Sequence, residues 1–119
     1  MIVGLDHVQL AMPTGGEDRA RAFYVGVLGL TERVKPPHLV GRGGCWFSGP
    51  GVELHLGSEE GFRPATKAHP ALLVADLAAA RDRLGEQGIA FAEGTLIEGF
   101  TRGDIADPFG NRIELMQKL

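Results

Sequence analysis

From Leu5 to Met12 apolar and polar positions alternate. Val8, Leu10 and Met12 fall on one side and His7, Gln9 and Ala11 on the other, the period of a half-buried strand. After Thr14 the period changes. Thr14 and Glu17 have the spacing of a capping box, and Ala20, Phe23, Tyr24, Val27 and Leu28 recur at helical intervals. A helix of about three turns, stopping near Gly29, is predicted. Short strands are predicted next at Leu30 to Val34, Cys45 to Phe47 and Val52 to Leu56.

The second half runs the same course. "HPALLVAD" resembles "HVQLAMPT" in placing a histidine at the head of an apolar strand. Asp76 is the expected N-cap of a helix carrying Leu77, Ala80 and Leu84 and ending near Gly88. Strands follow at Ile89 to Ala92, around Asp104 to Ala106, and at Arg112 to Gln117, the last preceded by the turn-forming "DPFGN". Each half therefore reads βαβββ, and the polar landmarks keep step. His7 to His69 is 62 positions and Glu53 to Glu114 is 61; within the halves, His7 to Glu53 is 46 and His69 to Glu114 is 45. This spacing predicts a duplicated module of α+β class within one 119-residue domain. Module 1 covers about 1–57, a connector 58–68 and module 2 about 69–119.

The alternation also carries a chemical expectation. Each helix must cover an apolar sheet face, Val8, Leu10, Leu54 and Leu56 in one half and Leu72, Val74, Ile113 and Leu115 in the other. His7, Glu53, His69 and Glu114 then point away from the helices. If the two helix-free faces enclose a cleft, two imidazoles and two carboxylates converge there. That set suits a divalent ion such as Zn, Ni, Mn or Fe. Without a cation the two carboxylates would repel, and one would tend to protonate. Taken singly, each such histidine or glutamate reads as an ordinary surface or hydrogen-bonded residue; the joint pattern is what favours a metal.

Composition narrows the class. With 44% hydrophobic residues the chain can bury a core, while 18 glycines and seven prolines imply short elements and many tight turns. A net charge of −3, with Lys and Arg scattered, gives no case for nucleic acid or an anionic membrane. No apolar run reaches the roughly 18 residues of a membrane span, and "MIVGLDHVQL" reads as a strand rather than a signal peptide. The single cysteine, Cys45, excludes an intramolecular disulfide, suits a cytoplasmic location, and reads as a small core residue.

"LDHVQLAMP", "ARAFYVGVLGL", "VELHLG" and above all "DPFGNRIEL" resemble the vicinal oxygen chelate superfamily: glyoxalase I, fosfomycin-resistance thiol transferases, extradiol dioxygenases and bleomycin-binding proteins. The resemblance covers essentially the whole chain. It implies two βαβββ modules forming a cupped, barrel-like mixed sheet with helices on the outside, often completed by dimerisation. By position, His7 matches the first-strand histidine ligand, His69 the histidine opening the second module, and Glu114 the glutamate of the final strand. Glu53 matches the further glutamate that glyoxalase I adds.

The resemblance also implies an activity. A small substrate would chelate the metal through two oxygens, and Glu53 or Glu114 would detach to shuttle a proton between adjacent carbons. The four-ligand set favours such glyoxalase-like lyase or isomerase chemistry over thiol transfer or dioxygenation. His55 shares a face with Glu53 and is a candidate ligand or acid/base, Trp46 and Phe100 are candidate pocket walls, and Asp104 lies where the fold points a side chain at substrate. Arg42, Arg63 and Arg102 are candidates for holding an anionic group, against the plainer reading of solvated arginines. The rival reading is a non-catalytic dimeric protein that sequesters a small molecule, as bleomycin-resistance proteins do. A domain this short closes its cleft better as a homodimer, which is the expected assembly.

Overall fold

The computed structural model describes residues 1–119. The chain forms two compact units, Met1–Pro64 and Ala65–Leu119, each with one α-helix and one four-stranded mixed sheet, the first also carrying a 3-10 helix at Pro37–Arg42. In the first unit β1 (Val8–Pro13) leads through α1 (Glu17–Tyr24) to the meander β2 (Thr31–Arg33), β3 (Cys45–Gly49) and β4 (Val52–Glu59). The sheet order is β1-β4-β3-β2, with β1 parallel to β4 and the other pairs antiparallel. The second unit repeats this plan. β5 (Ala71–Leu73), α2 (Leu77–Glu86), β6 (Ala92–Glu93), β7 (Phe100–Ala106) and β8 (Arg112–Lys118) give the order β5-β8-β7-β6. The expected pair of βαβββ modules is therefore present, and neither sheet closes on itself as a barrel.

Side-chain alternation sorts each sheet as the sequence implies. In the first unit Leu10, Met12, Cys45, Phe47, Leu54 and Leu56 are buried with Ala20, Phe23 and Tyr24 of α1, and the Tyr24 ring stacks on Phe47. In the second, Ile105, Ile113 and Leu115 share the helix-covered face with Leu77 and Leu84. Removing these side chains from water is the main stabilisation available to either unit. No helix is long and apolar enough to cross a membrane.

Several expected boundaries differ. β1 begins at Val8, and Met1 to His7 lie outside the sheet and exposed, because pairing with β4 starts only at Val8 opposite Leu54. α1 ends at Tyr24 rather than near Gly29. At Gly26 the bonding slips to Arg21 O, five residues back, and the Ala22 carbonyl comes so close that only a glycine fits. Thr14 does not cap this helix. Gly16 is its N-cap, and the Glu17 carboxylate turns instead to the Gly44 N–H and the Ser58 hydroxyl. The strand expected at Ile89 to Ala92 shrinks to Ala92–Glu93, since the Ile89 N–H is still bonded to Leu84 O at the end of α2. By contrast Asp76 caps α2 as expected, accepting from the Ala79 N–H at 3.0 Å.

Candidate functional site

Glu114 lies near the middle of β8, opposite Ala71 on β5 and Asp104 on β7. It faces away from α2, as period-two alternation requires with Ile113 and Leu115 in the core. Even so, its side chain is only 8% exposed. A buried carboxylate needs partners at both oxygens, and Glu114 has them. His69 Nε2 stands 2.9 Å from Oε1, and Arg102 donates to Oε2 at 2.9 Å.

His69 comes just before β5. The Glu114 N–H donates to the Pro70 carbonyl, which ties this stretch to β8 and brings the imidazole over Glu114. Its Nδ1 donates to Lys67 O at 2.8 Å. Both ring nitrogens thus face oxygen acceptors, which favours the protonated ring. The Lys67 carbonyl first, then Glu114, raise the His69 pKa above the usual imidazole value. For Glu114, burial pushes the pKa up, but the hydrogen bonds from His69 and Arg102 and their charges outweigh it, and the carboxyl sits below its ordinary range.

Asp104 pairs with the Arg112 fork at 3.0 and 3.2 Å. Together His69, Asp104 and Glu114 present one nitrogen and two carboxylate oxygens that all lie within 4.8 Å of one another. Phe100 is half-buried and, with Arg102, borders a separate cavity of about 410 Å³ between α2 and the β6–β7 edge.

The first unit assembles its residues differently. His55 on β4 lies flat between two rings, with Trp46 at 4.3 Å and 7° on one side and His7 at 4.2 Å and 18° on the other. Register explains this stack: Trp46 pairs directly with His55, and both point away from α1. Burial, then the neighbouring His7, lowers the His55 pKa and keeps the ring neutral. His7 Nδ1 bonds Asp6 at 2.8 Å. Glu53 lines the same cavity of about 640 Å³, with its carboxylate 3.4 Å from Arg33 Nη1. Arg42 is an exposed residue on that cavity's wall, and Arg63 is exposed elsewhere.

Unit 2 therefore brings His69, Asp104, Glu114 and Arg102 together, and unit 1 gathers His7, His55, Trp46 and Glu53 around one cavity. The roles of Arg33 and Arg112 as carboxylate partners were not foreseen. The signal for Arg112 was available. Counting outward from "DPFGN" pairs Ala106 with Arg112 and Asp104 with Glu114, leaving Arg102 on the same face two residues further along β7.

Comparison with known proteins agrees with this construction. The family described as the Glyoxalase/Bleomycin resistance protein/Dioxygenase superfamily matches residues 4–115. No curated protein matches the chain. Among solved structures, a glyoxalase-family protein from Bacillus anthracis is similar at 44% identity and TM-score 0.96, covering 100% of this chain and 98% of its own. The fosfomycin resistance protein FosX from Listeria monocytogenes, solved with Mn(II) and sulfate, shares the fold at 17% identity and TM-score 0.78, covering 100% and 93%. TnmS3, an antibiotic binding protein from a Streptomyces species, does so at 24% and 0.71, covering 99% and 100%. From its repeated βαβββ units to its family match over residues 4–115, the chain belongs to the Glyoxalase/Bleomycin resistance protein/Dioxygenase superfamily.

Proposed function

We propose that the chain is a metal-dependent, glyoxalase-like enzyme that isomerises a small substrate bound through two adjacent oxygens. The observation that carries this reading is the His69–Glu114 contact. An imidazole nitrogen and a carboxylate oxygen 2.9 Å apart, with Asp104 beside them, form a donor set that suits Mn, Ni, Fe or Zn. His7 and Glu53 hold the matching positions of the first module in the sequence repeat, and they too are proposed as metal ligands. A divalent ion held there would supply Lewis acidity to the substrate oxygens.

The two glutamates suit different tasks. Glu114 is fixed at both oxygens and holds its negative charge firmly, which suits a ligand rather than a proton carrier. Glu53 has a single long contact, to Arg33, and lines an open cavity. It is proposed to take a proton from one substrate carbon and return it to the neighbouring carbon. His55 and Trp46 supply a flat wall for the substrate beside it. The chain is proposed to act as a homodimer, supported by the fully exposed apolar side chains of Met1, Ile2, Val3 and Leu5, which a partner would cover.

Elemental analysis of tag-free protein tests the reading, with Mn, Ni, Fe and Zn added back in turn. Near-stoichiometric metal that is lost in Glu114→Ala is expected. Isomerisation of thiol adducts of 2-oxoaldehydes should then fall about 100-fold or more in Glu53→Gln. A parent protein that takes up none of these ions would overturn the metal site and leave a small-molecule binding module.

A further inference from the structure

Arg102 is held on three sides. Its Nε donates to Thr95 O at 2.9 Å and its Nη1 to Glu114 Oε2 at 2.9 Å. The stem lies against Gly94, where an added Cβ would stand only 3.1 Å from Arg102 Cγ and 3.3 Å from Cζ. The side chain is 17% exposed. A guanidinium fixed this way is not reaching for solvent. Nε is anchored on the Thr95 carbonyl, and Nη1 is directed at one oxygen of one carboxylate.

We propose that Arg102 is a positioning residue that confines Glu114 to a single metal bond and so keeps a coordination position open for substrate; this rests on the metal site proposed above. Adjacent ligands on an octahedral ion with bonds of about 2.1 Å stand roughly 3.0 Å apart. His69 Nε2 and Glu114 Oε1, at 2.9 Å, already have that separation. An ion can therefore bridge them without Glu114 leaving Arg102. The second oxygen, which would otherwise close a bidentate contact, is occupied by the arginine.

Charge works in the same direction. A guanidinium on the far side of the carboxylate draws electron density from the ligand and repels the cation. The site then binds its ion less tightly than the same donors would alone, and it keeps one more water that substrate oxygens can displace.

Mn(II) is a suitable probe. The full chain would be titrated with it, following free Mn(II) by electron paramagnetic resonance and counting inner-sphere waters by solvent proton relaxation. Parent, Arg102→Met and Arg102→Gln would be compared. Arg102→Met should bind Mn(II) about tenfold or more tightly, because a charge is removed and Oε2 is freed, and should carry one water fewer. Arg102→Gln keeps an N–H donor without the charge; it should fall between the two in affinity and keep the parent's water count. Affinity and water count unchanged in Arg102→Met, or weaker binding, would overturn the inference. Should circular dichroism show that Arg102→Met does not fold, Arg102→Gln decides: parental or weaker affinity overturns it. A parent that takes up no Mn(II) or other ion removes the metal site, and the inference with it. Parental uptake with no effect of either substitution removes the inference alone.

Discussion

His69 and Glu114 meet at 2.9 Å, Nε2 to Oε1, while the other ring nitrogen of His69 is already bonded to the Lys67 carbonyl. The pair has opposite consequences with and without a metal. In the metal-free protein the folded pKa of His69 is raised above its unfolded value of about 6.5. The stabilisation it brings is fully present below that pH and is lost as pH rises through the folded value. Thermal stability of the metal-free parent should therefore decline, relative to His69→Ala, as pH rises above about 6.5. Metal binding must displace the Nε2 proton, so affinity should instead rise over the same range, with about one proton released per ion near pH 6.5. Calorimetric titration in buffers of different ionisation enthalpy measures that proton directly.

The triple stack of Trp46, His55 and His7 makes a separate prediction. His55 is buried at 8% exposure and works as an aromatic slab within the cavity wall. Replacing it with Phe should keep both stacking contacts, whereas Ala should cost about 1–3 kcal/mol more, roughly 0.5–1.5 for each aromatic pair. Trp46 is the chain's single tryptophan, so its emission reports the packing. If His55→Phe abolished metal uptake, His55 would be a ligand rather than a wall.

Glu17 links the start of α1 to the Gly44 loop, accepting from the Gly44 N–H at 3.1 Å and the Ser58 hydroxyl at 3.4 Å. The Gly44 hydrogen bond leads in holding its pKa below the usual 4.5. Its contribution to stability is present above that value and is lost as pH falls through the lower folded one. Glu17→Ala should cost about 1–3 kcal/mol at pH 7 by urea unfolding, and less at pH 3. An equal cost at both values would mean that the side chain acts by packing alone.

Asn111 is buried at 1% exposure and ties three segments together. Its Oδ1 accepts from the Ala65 N–H, its Nδ2 donates to Asp107 Oδ2, and its own N–H donates to Asp107 Oδ1. Asn111→Asp removes the amide donor and sets a second carboxylate against Asp107. It should destabilise by about 1–3 kcal/mol or more, read as a shift in the urea midpoint. A midpoint unchanged at pH 7 would contradict that role.

Much of this was legible from residue order. The offsets of 62 and 61 positions predicted the repeat, and alternation placed Glu53, His55 and Glu114 on the helix-free faces where they lie. The bounds of α1 were not legible, because the slip at Gly26 depends on a carbonyl approach that periodicity does not encode. The bonds of Arg102 and Arg33 were missed for a related reason. A long flexible side chain has no period, and its partner is chosen by strand register and local space rather than by spacing along the chain.

The five-residue bend from Asp107 to Asn111 works as a ruler for β7. Because side chains alternate, any change at this corner that slipped β7 by one position against β8 would turn Arg102 and Asp104 toward α2 and bring Gly103 and Ile105 up beside Glu114. Chain length at this corner is thus as much a chemical determinant as any side chain. A one-glycine insertion after Pro108 tests it: a slipped β7 would move Ile105 out of the core and lower the urea midpoint, whereas an unchanged midpoint would mean that the bend absorbs the extra residue.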